Sequence, residues 1–120
     1  MTILKETVYI DRDNTIRLAL YEDSSLLKTA YPSLVPTRWI LTIDTGTPIV
    51  VDSNTSPGAF NWDGTNSVIE LALSGEIVSG FATYTGTTLV MYSTEFPNGV
   101  VLLHPDYSHD KLKINAVAGA

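Results

Sequence analysis

Asp44 is the residue of this chain best placed to do chemistry. It ends the run Leu41-Thr42-Ile43 and opens Asp44-Thr45-Gly46-Thr47. A carboxylate in such a place becomes a general acid or base when a second carboxylate lies against it, because two like charges at close range share one proton. It has a plainer use as well: an Asp oxygen accepts a backbone N–H two residues on and fixes a turn. Other ligating residues fall into weaker patterns. Asp11, Asp13 and Glu22 have the spacing of a calcium loop, but the position that needs glycine is Ile16, and residues 15–21 alternate as a strand does. Asp52, Asn54 and Asp63 share an acidic loop. His104 and His109 flank Pro105 with no third ligand nearby in sequence. No metal or cofactor site is expected from these patterns.

The stretch from Leu41 to Thr47 resembles the active-site motif of the retroviral-type aspartic proteases: an apolar run, Asp-Thr-Gly, then a small residue. The resemblance implies a catalytic Asp44 paired with its copy across a dimer axis. That family also carries a later apolar-apolar-Gly segment, often followed by Arg, which supports the catalytic loop, and no such segment occurs here. Asp44 is therefore expected in a hairpin turn, and the protein is expected not to be an enzyme. Phe60, Trp62, Tyr84 and Tyr92 raise a second alternative, a carbohydrate-binding β-sandwich whose aromatic faces stack on sugars. Phe60 and Trp62 stand at i and i+2, so they share one face of a short strand, and packing within the protein is the expected role.

The elements that must position these residues are short and β-rich. Residues 6–10 form a first strand candidate, followed by an Asp11-Arg12-Asp13-Asn14 turn. Ile16, Leu18 and Leu20 alternate on one face of residues 15–21, and Trp39, Leu41 and Ile43 on one face of residues 37–43; period two marks a half-buried strand. Residues 48–51 read as a short return strand and residues 52–66 as a loop. Ile69, Leu71 and Leu73 alternate in residues 68–73. Ser74-Gly75 and Ser79-Gly80 break the chain. Residues 81–92 read as one long strand, or as two kinked by a bulge at Gly86. Pro97-Asn98-Gly99 is a hairpin signal between residues 87–93 and 100–103. Residues 111–117 close the set. Seven to nine strands with turns at this spacing predict an all-β antiparallel sandwich, a single domain over residues 1–120. Its expected core comprises Ile16, Leu18, Leu20, Trp39, Leu41, Ile43, Ile69, Leu71, Leu89, Met91 and Ile114.

Composition narrows the function classes. The chain of 120 residues is 44% apolar and 17% charged, and has no cysteine, so disulfides and thiolate metal sites are excluded. Seven basic residues face 13 acidic ones, giving a net charge of −6. A nucleic acid or an anionic membrane surface would repel the molecule as a whole. The basic residues (Lys5, Arg12, Arg17, Lys28, Arg38, Lys111 and Lys113) are spread along the chain without a run. No apolar stretch approaches the length of a membrane span. The N-terminus lacks the cationic start and apolar core of a signal peptide, so synthesis in the host cytoplasm is expected.

Two segments stand out as candidate contact surfaces. Residues 23–36 are too apolar for an ordinary loop, and Leu26, Leu27, Tyr31 and Leu34 either cover an open end of the sandwich or meet a neighbour. Phe96, Pro97 and Asn98 form a hairpin tip, where a large aromatic does not easily reach its own core and either marks a contact or folds back onto Tyr92 or Leu103 across its own hairpin.

Across nearly its whole length the chain resembles a family of small bacteriophage structural proteins. The residues that carry the likeness are Tyr9-Ile10-Asp11-Arg12-Asp13-Asn14-Thr15-Ile16, the strand Thr37 to Thr42, Asp52-Ser53-Asn54-Thr55 with Phe60 and Trp62 beyond it, Glu76-Ile77-Val78-Ser79-Gly80, Met91-Tyr92, Phe96-Pro97-Asn98-Gly99 and the closing strand from Lys111 to Val117. The layout is also similar to the immunoglobulin-like N-terminal domain of phage baseplate upper proteins, which implies an all-β, immunoglobulin-like antiparallel sandwich. The resemblance implies a virion component, a head decoration or a tail or neck accessory, present in many copies and bound to other virion proteins. It implies no catalytic residue.

Overall fold

The computed structural model describes residues 3–19, 35–66, 68–81, 84–107 and 111–118. Nine strands lie among them: β1 (Ile3–Tyr9), β2 (Asn14–Ala19), β3 (Pro36–Asp44), β4 (Ile49–Asp52), β5 (Phe60–Asp63), β6 (Val68–Leu73), β7 (Tyr84–Ser93), β8 (Val100–Leu103) and β9 (Lys111–Val117). A 3-10 turn at Pro57–Ala59 precedes β5, and one α-helical turn, α1 (Gly75–Val78), follows β6. The strands form two packed sheets, an all-β sandwich. The larger runs β1-β9-β7-β3-β4, with β8 also on β7, and the smaller runs β2-β6-β5.

β7 organises the larger sheet. One edge pairs along its length with β3; the other pairs first with β9, through Tyr84 to Gly86, and then with β8, through Leu89 to Met91. β7 is one continuous strand through Gly86, the first of the two readings of this stretch, and its register does not shift there. The irregularities in register fall instead between Leu89 and Val90, opposite β8, and between Pro36 and Arg38 of β3, opposite the end of β7. All pairings are antiparallel but one: β1 runs parallel to β9, from Ile3 beside Lys111 to Tyr9 beside Val117. The antiparallel sandwich expected from the sequence holds at every other pair; this one departs from it, because its two strands lie at opposite ends of the sequence and no hairpin dictates their direction.

The alternating residues meet between the sheets. Ile16, Leu18, Trp39, Leu41, Ile43, Ile69, Leu71, Leu89, Met91 and Ile114 are all buried, as expected; Leu20 lies outside the described residues. Val8, Val51, Leu73, Val78, Phe81, Leu102, Leu103, Leu112 and Ala116 complete the core. Residues 52–66 are not wholly loop. β5 pairs Phe60 with Leu71 and Trp62 with Ile69, which turns both aromatic rings toward Trp39.

Candidate functional site

Asp44 ends β3 and is exposed. Its Oδ1 accepts the Gly46 N–H at 3.3 Å, and Thr45 Oγ1 donates to the Thr47 carbonyl at 2.6 Å. Gly46 has φ +96°, which completes the bend into β4. The Asp44 carbonyl in turn accepts the Thr85 hydroxyl from β7. The Asp-Thr-Gly sequence thus builds the β3–β4 hairpin, the role expected of it.

The other carboxylates singled out in the sequence also have local tasks. Arg38 grips Asp52 with two hydrogen bonds, Nε to Oδ1 at 3.1 Å and a terminal nitrogen to Oδ2 at 2.5 Å. The guanidinium also lies 5.5 Å from the centre of the Tyr92 ring. Asp52 Oδ1 accepts the Asn54 N–H as well. The Arg38 hydrogen bond, and then the Asn54 amide, hold the Asp52 carboxyl below its ordinary range, and the same pair raises Arg38. Asp63 caps its own turn through the Thr65 and Asn66 amides and the Asn66 side chain; the side-chain bond from Asn66 is the main cause of its lowered pKa. Asp52 and Asp63 are therefore turn-building groups. No group of three or more His, Asp or Glu with metal-binding geometry occurs among the described residues. His104 Nδ1 accepts the Asp106 N–H, and its ring meets Tyr107; His109 lies outside the described residues.

Trp39, Phe60 and Trp62 pack inward; nothing is described of the Tyr84 side chain. Trp39 is buried, with Phe60 stacked at 6.4 Å and Trp62 tilted at 5.6 Å. Phe60 and Trp62 are half-buried against the core, the packing role expected for them.

At the β7–β8 tip, Phe96 is half-buried and packs on the core, while Pro97 and Asn98 are exposed. Of the two readings of this aromatic, the structure takes the one that turns it back onto its own core. Ser93 and Phe96 exchange backbone hydrogen bonds at 3.3 and 3.2 Å, and Ser93 Oγ accepts the Phe96 N–H too, which folds the tip back on itself. Gly99, at φ +81°, lies under the Tyr92 ring. Leu26, Leu27, Tyr31 and Leu34 lie outside the described residues.

The fold gathers two charged poles that sequence spacing does not reveal. Lys5 and Lys113 are directly opposite in the β1–β9 ladder, both exposed, and Lys111 is two residues before Lys113 on the same face. At the far end of β1, Asp11, Asp13 and Glu76 line an open cleft of about 660 Å³ with Ser74, Gly75 and Ser79. Asp13 Oδ1 accepts the Gly75 N–H at 2.8 Å, and Asn14 binds both the N–H and the carbonyl of Tyr9, so the turn is stitched to β1 and to α1. A second cleft of about 430 Å³ adjoins it, sharing Asp13 and Ser74 and continuing to Ser56, Gly58 and Ala59.

The chain matches no protein-family model, no curated protein and no solved structure.

Proposed function

We propose that the protein is a non-enzymatic structural subunit of a bacteriophage particle, held to other virion proteins through its loop surfaces. The observation that carries this reading is the commitment of its candidate chemical groups to the scaffold. Asp44 closes a hairpin, Asp52 is clamped by Arg38, Asp63 caps its own turn, and Trp39, Phe60 and Trp62 pack together. The exposed Pro97–Asn98 tip is one contact surface, carried on the long β7 arm. A subunit present in many copies needs only a weak contact at each, since attachment is multivalent. The strand-and-turn likeness to small virion proteins points the same way.

The test is made on particles. Virions purified through a density gradient are expected to carry the chain at a fixed ratio to the major capsid or tail protein, and Asn98→Lys with Pro97→Ala is expected to lower that ratio. A chain abundant in the infected-cell lysate but absent from purified particles overturns the proposal. Cleavage of peptides at acidic pH that Asp44→Ala abolishes would favour the protease reading instead.

A further inference from the structure

We propose that the Lys5–Lys111–Lys113 pole is a docking site for a second copy of this chain, which presents its Asp11–Asp13–Glu76 end, so that copies associate head to tail. This self-association is a property of the chain in solution and does not depend on the particle reading.

The parallel pairing of β1 and β9 makes the molecule bipolar. Both strands begin at the lysine pole and both end at the acidic one, where Ile10 N–H donates to the Val117 carbonyl. Four steps of strand carry β1 from Lys5 to its end at Tyr9, roughly 13 Å at the usual rise per residue, and the turn beyond it holds Asp11. An antiparallel pair would not set both strand starts, and so all three lysines, at one end.

The lysine pole is not explained by the fold's own needs. Like charges directly opposite on neighbouring strands repel. A lysine on an edge strand guards against unwanted pairing, which accounts for Lys5 on β1 but not for Lys113 on β9, an interior strand. Among the described residues neither Lys5 nor Lys113 has an ion-pair partner, whereas Arg17 pairs with Glu70 and Arg38 with Asp52. Among the described residues Lys111 reaches the Pro105 carbonyl alone, at 3.5 Å. Among the described residues the nearby acids are turned to other work; Asp110, next to Lys111 in sequence, lies outside them. Glu6 faces the opposite side of β1, Asp44 binds Gly46, and Asp106 lies 3.9 Å from His104. In a molecule of net charge −6, this pole attracts what the rest of the surface repels, a carboxylate-rich partner. The chain itself supplies one at its other end, where, among the described residues, Arg12 is the one cation beside three exposed acids. A contact between unlike surfaces of identical copies is heterologous and leaves a free pole at each end, so association is open-ended or closes into a ring.

Sedimentation velocity tests this. In roughly 0.02 M salt the wild-type chain is expected to form species above the monomer, with a Kd of about 0.1–1 mM, and the association constant is expected to fall at least about tenfold by roughly 0.5 M salt. Lys5→Gln/Lys113→Gln and, separately, Asp11→Asn/Glu76→Gln are each expected to be monomeric; Asp13 is left intact because it caps Gly75. Mixed together, the two variants retain one good pole each and are expected to form a heterodimer and nothing larger. Unchanged circular dichroism and melting temperature establish that both variants are folded. Carbodiimide cross-linking of the wild type, read by mass spectrometry, is expected to join Lys5 or Lys113 of one copy to Asp11, Asp13 or Glu76 of another. A wild type that stays monomeric in low salt overturns the proposal, including the case in which the lysine pole instead retains an anionic resin. Association that survives in either variant, or a mixture that builds beyond a dimer, overturns it as well.

Discussion

At the residue scale, the carboxylates with the clearest partners stabilise the fold rather than expose reactive groups. Asp52 and Asp63 have pKa values lowered by the hydrogen bonds they accept, chiefly from the Arg38 and Asn66 side chains. A carboxyl with a lower pKa in the folded than in the unfolded chain favours folding wherever it is ionised in both. That contribution is complete above the unfolded value of about 4 and is lost as the pH falls through the lower folded value. Stability is therefore expected to decline below about pH 4, and Asp52→Asn is expected to flatten part of that decline. Urea denaturation at a series of pH values checks this, and identical acid limbs for the two proteins would rule it out. The core gives a blunter prediction. Leu41 is 1% exposed at the centre of β3, so Leu41→Ala leaves a cavity that the two sheets cannot close and is expected to cost about 2–5 kcal/mol.

At the scale of elements, the hairpin turns divide into two kinds. Gly46 and Gly99 both have positive φ, but a side chain at Gly46 would meet nothing within 4 Å, whereas one at Gly99 would come within 2.9 Å of the Tyr92 ring and 3.0 Å of Val90. Gly46→Ala is expected to cost about 1–2 kcal/mol from backbone strain alone. Gly99→Ala carries a similar strain and also displaces Tyr92, the ring under Arg38, so its cost is expected to be the larger. Thermal denaturation of the two variants decides this, and an equal or reversed order would refute the packing role given to Gly99. Most strands were legible in the sequence because period two is a local signal: Ile16 and Leu18, or Trp39, Leu41 and Ile43, announce their buried face without knowledge of any partner. β5 was less legible because Phe60-Asn61-Trp62-Asp63 is short and flanked by turn residues, and only pairing with β6 makes it a strand. Phe96 stays undecided in the sequence because its burial depends on how the chain folds back after Ser93. The turn role of Asp44 was legible because an Asp side chain bonding two residues on is local chemistry. The lysine pole was not, because Lys5 and Lys113 meet only through a pairing of the first described strand with the last.

At the scale of the whole molecule, that same pairing sets how the fold carries load. β1 and β9 point the same way, so the end of the chain that enters β1 at Ile3 and the end that leaves β9 after Val117 lie at opposite poles. Tension applied between them pulls the two strands past each other, and the hydrogen bonds along seven residue pairs must yield together. Force applied between Ile3 and Lys111, which are neighbours across the ladder, would open the same bonds one after another. The first geometry is expected to resist a markedly higher force, because forced unfolding reports the barrier rather than the equilibrium, and the shear barrier includes many bonds at once. The chain has no cysteine, so a single Lys111→Cys supplies a unique handle for the second geometry. Single-molecule pulling of the two attachments at one loading rate provides the measurement. Equal forces would mean that β1 detaches before it bears load, and that its parallel pairing contributes little to holding the sandwich closed. A clear excess in the end-to-end geometry would fit a subunit that stays folded while anchored at one pole and pulled at the other.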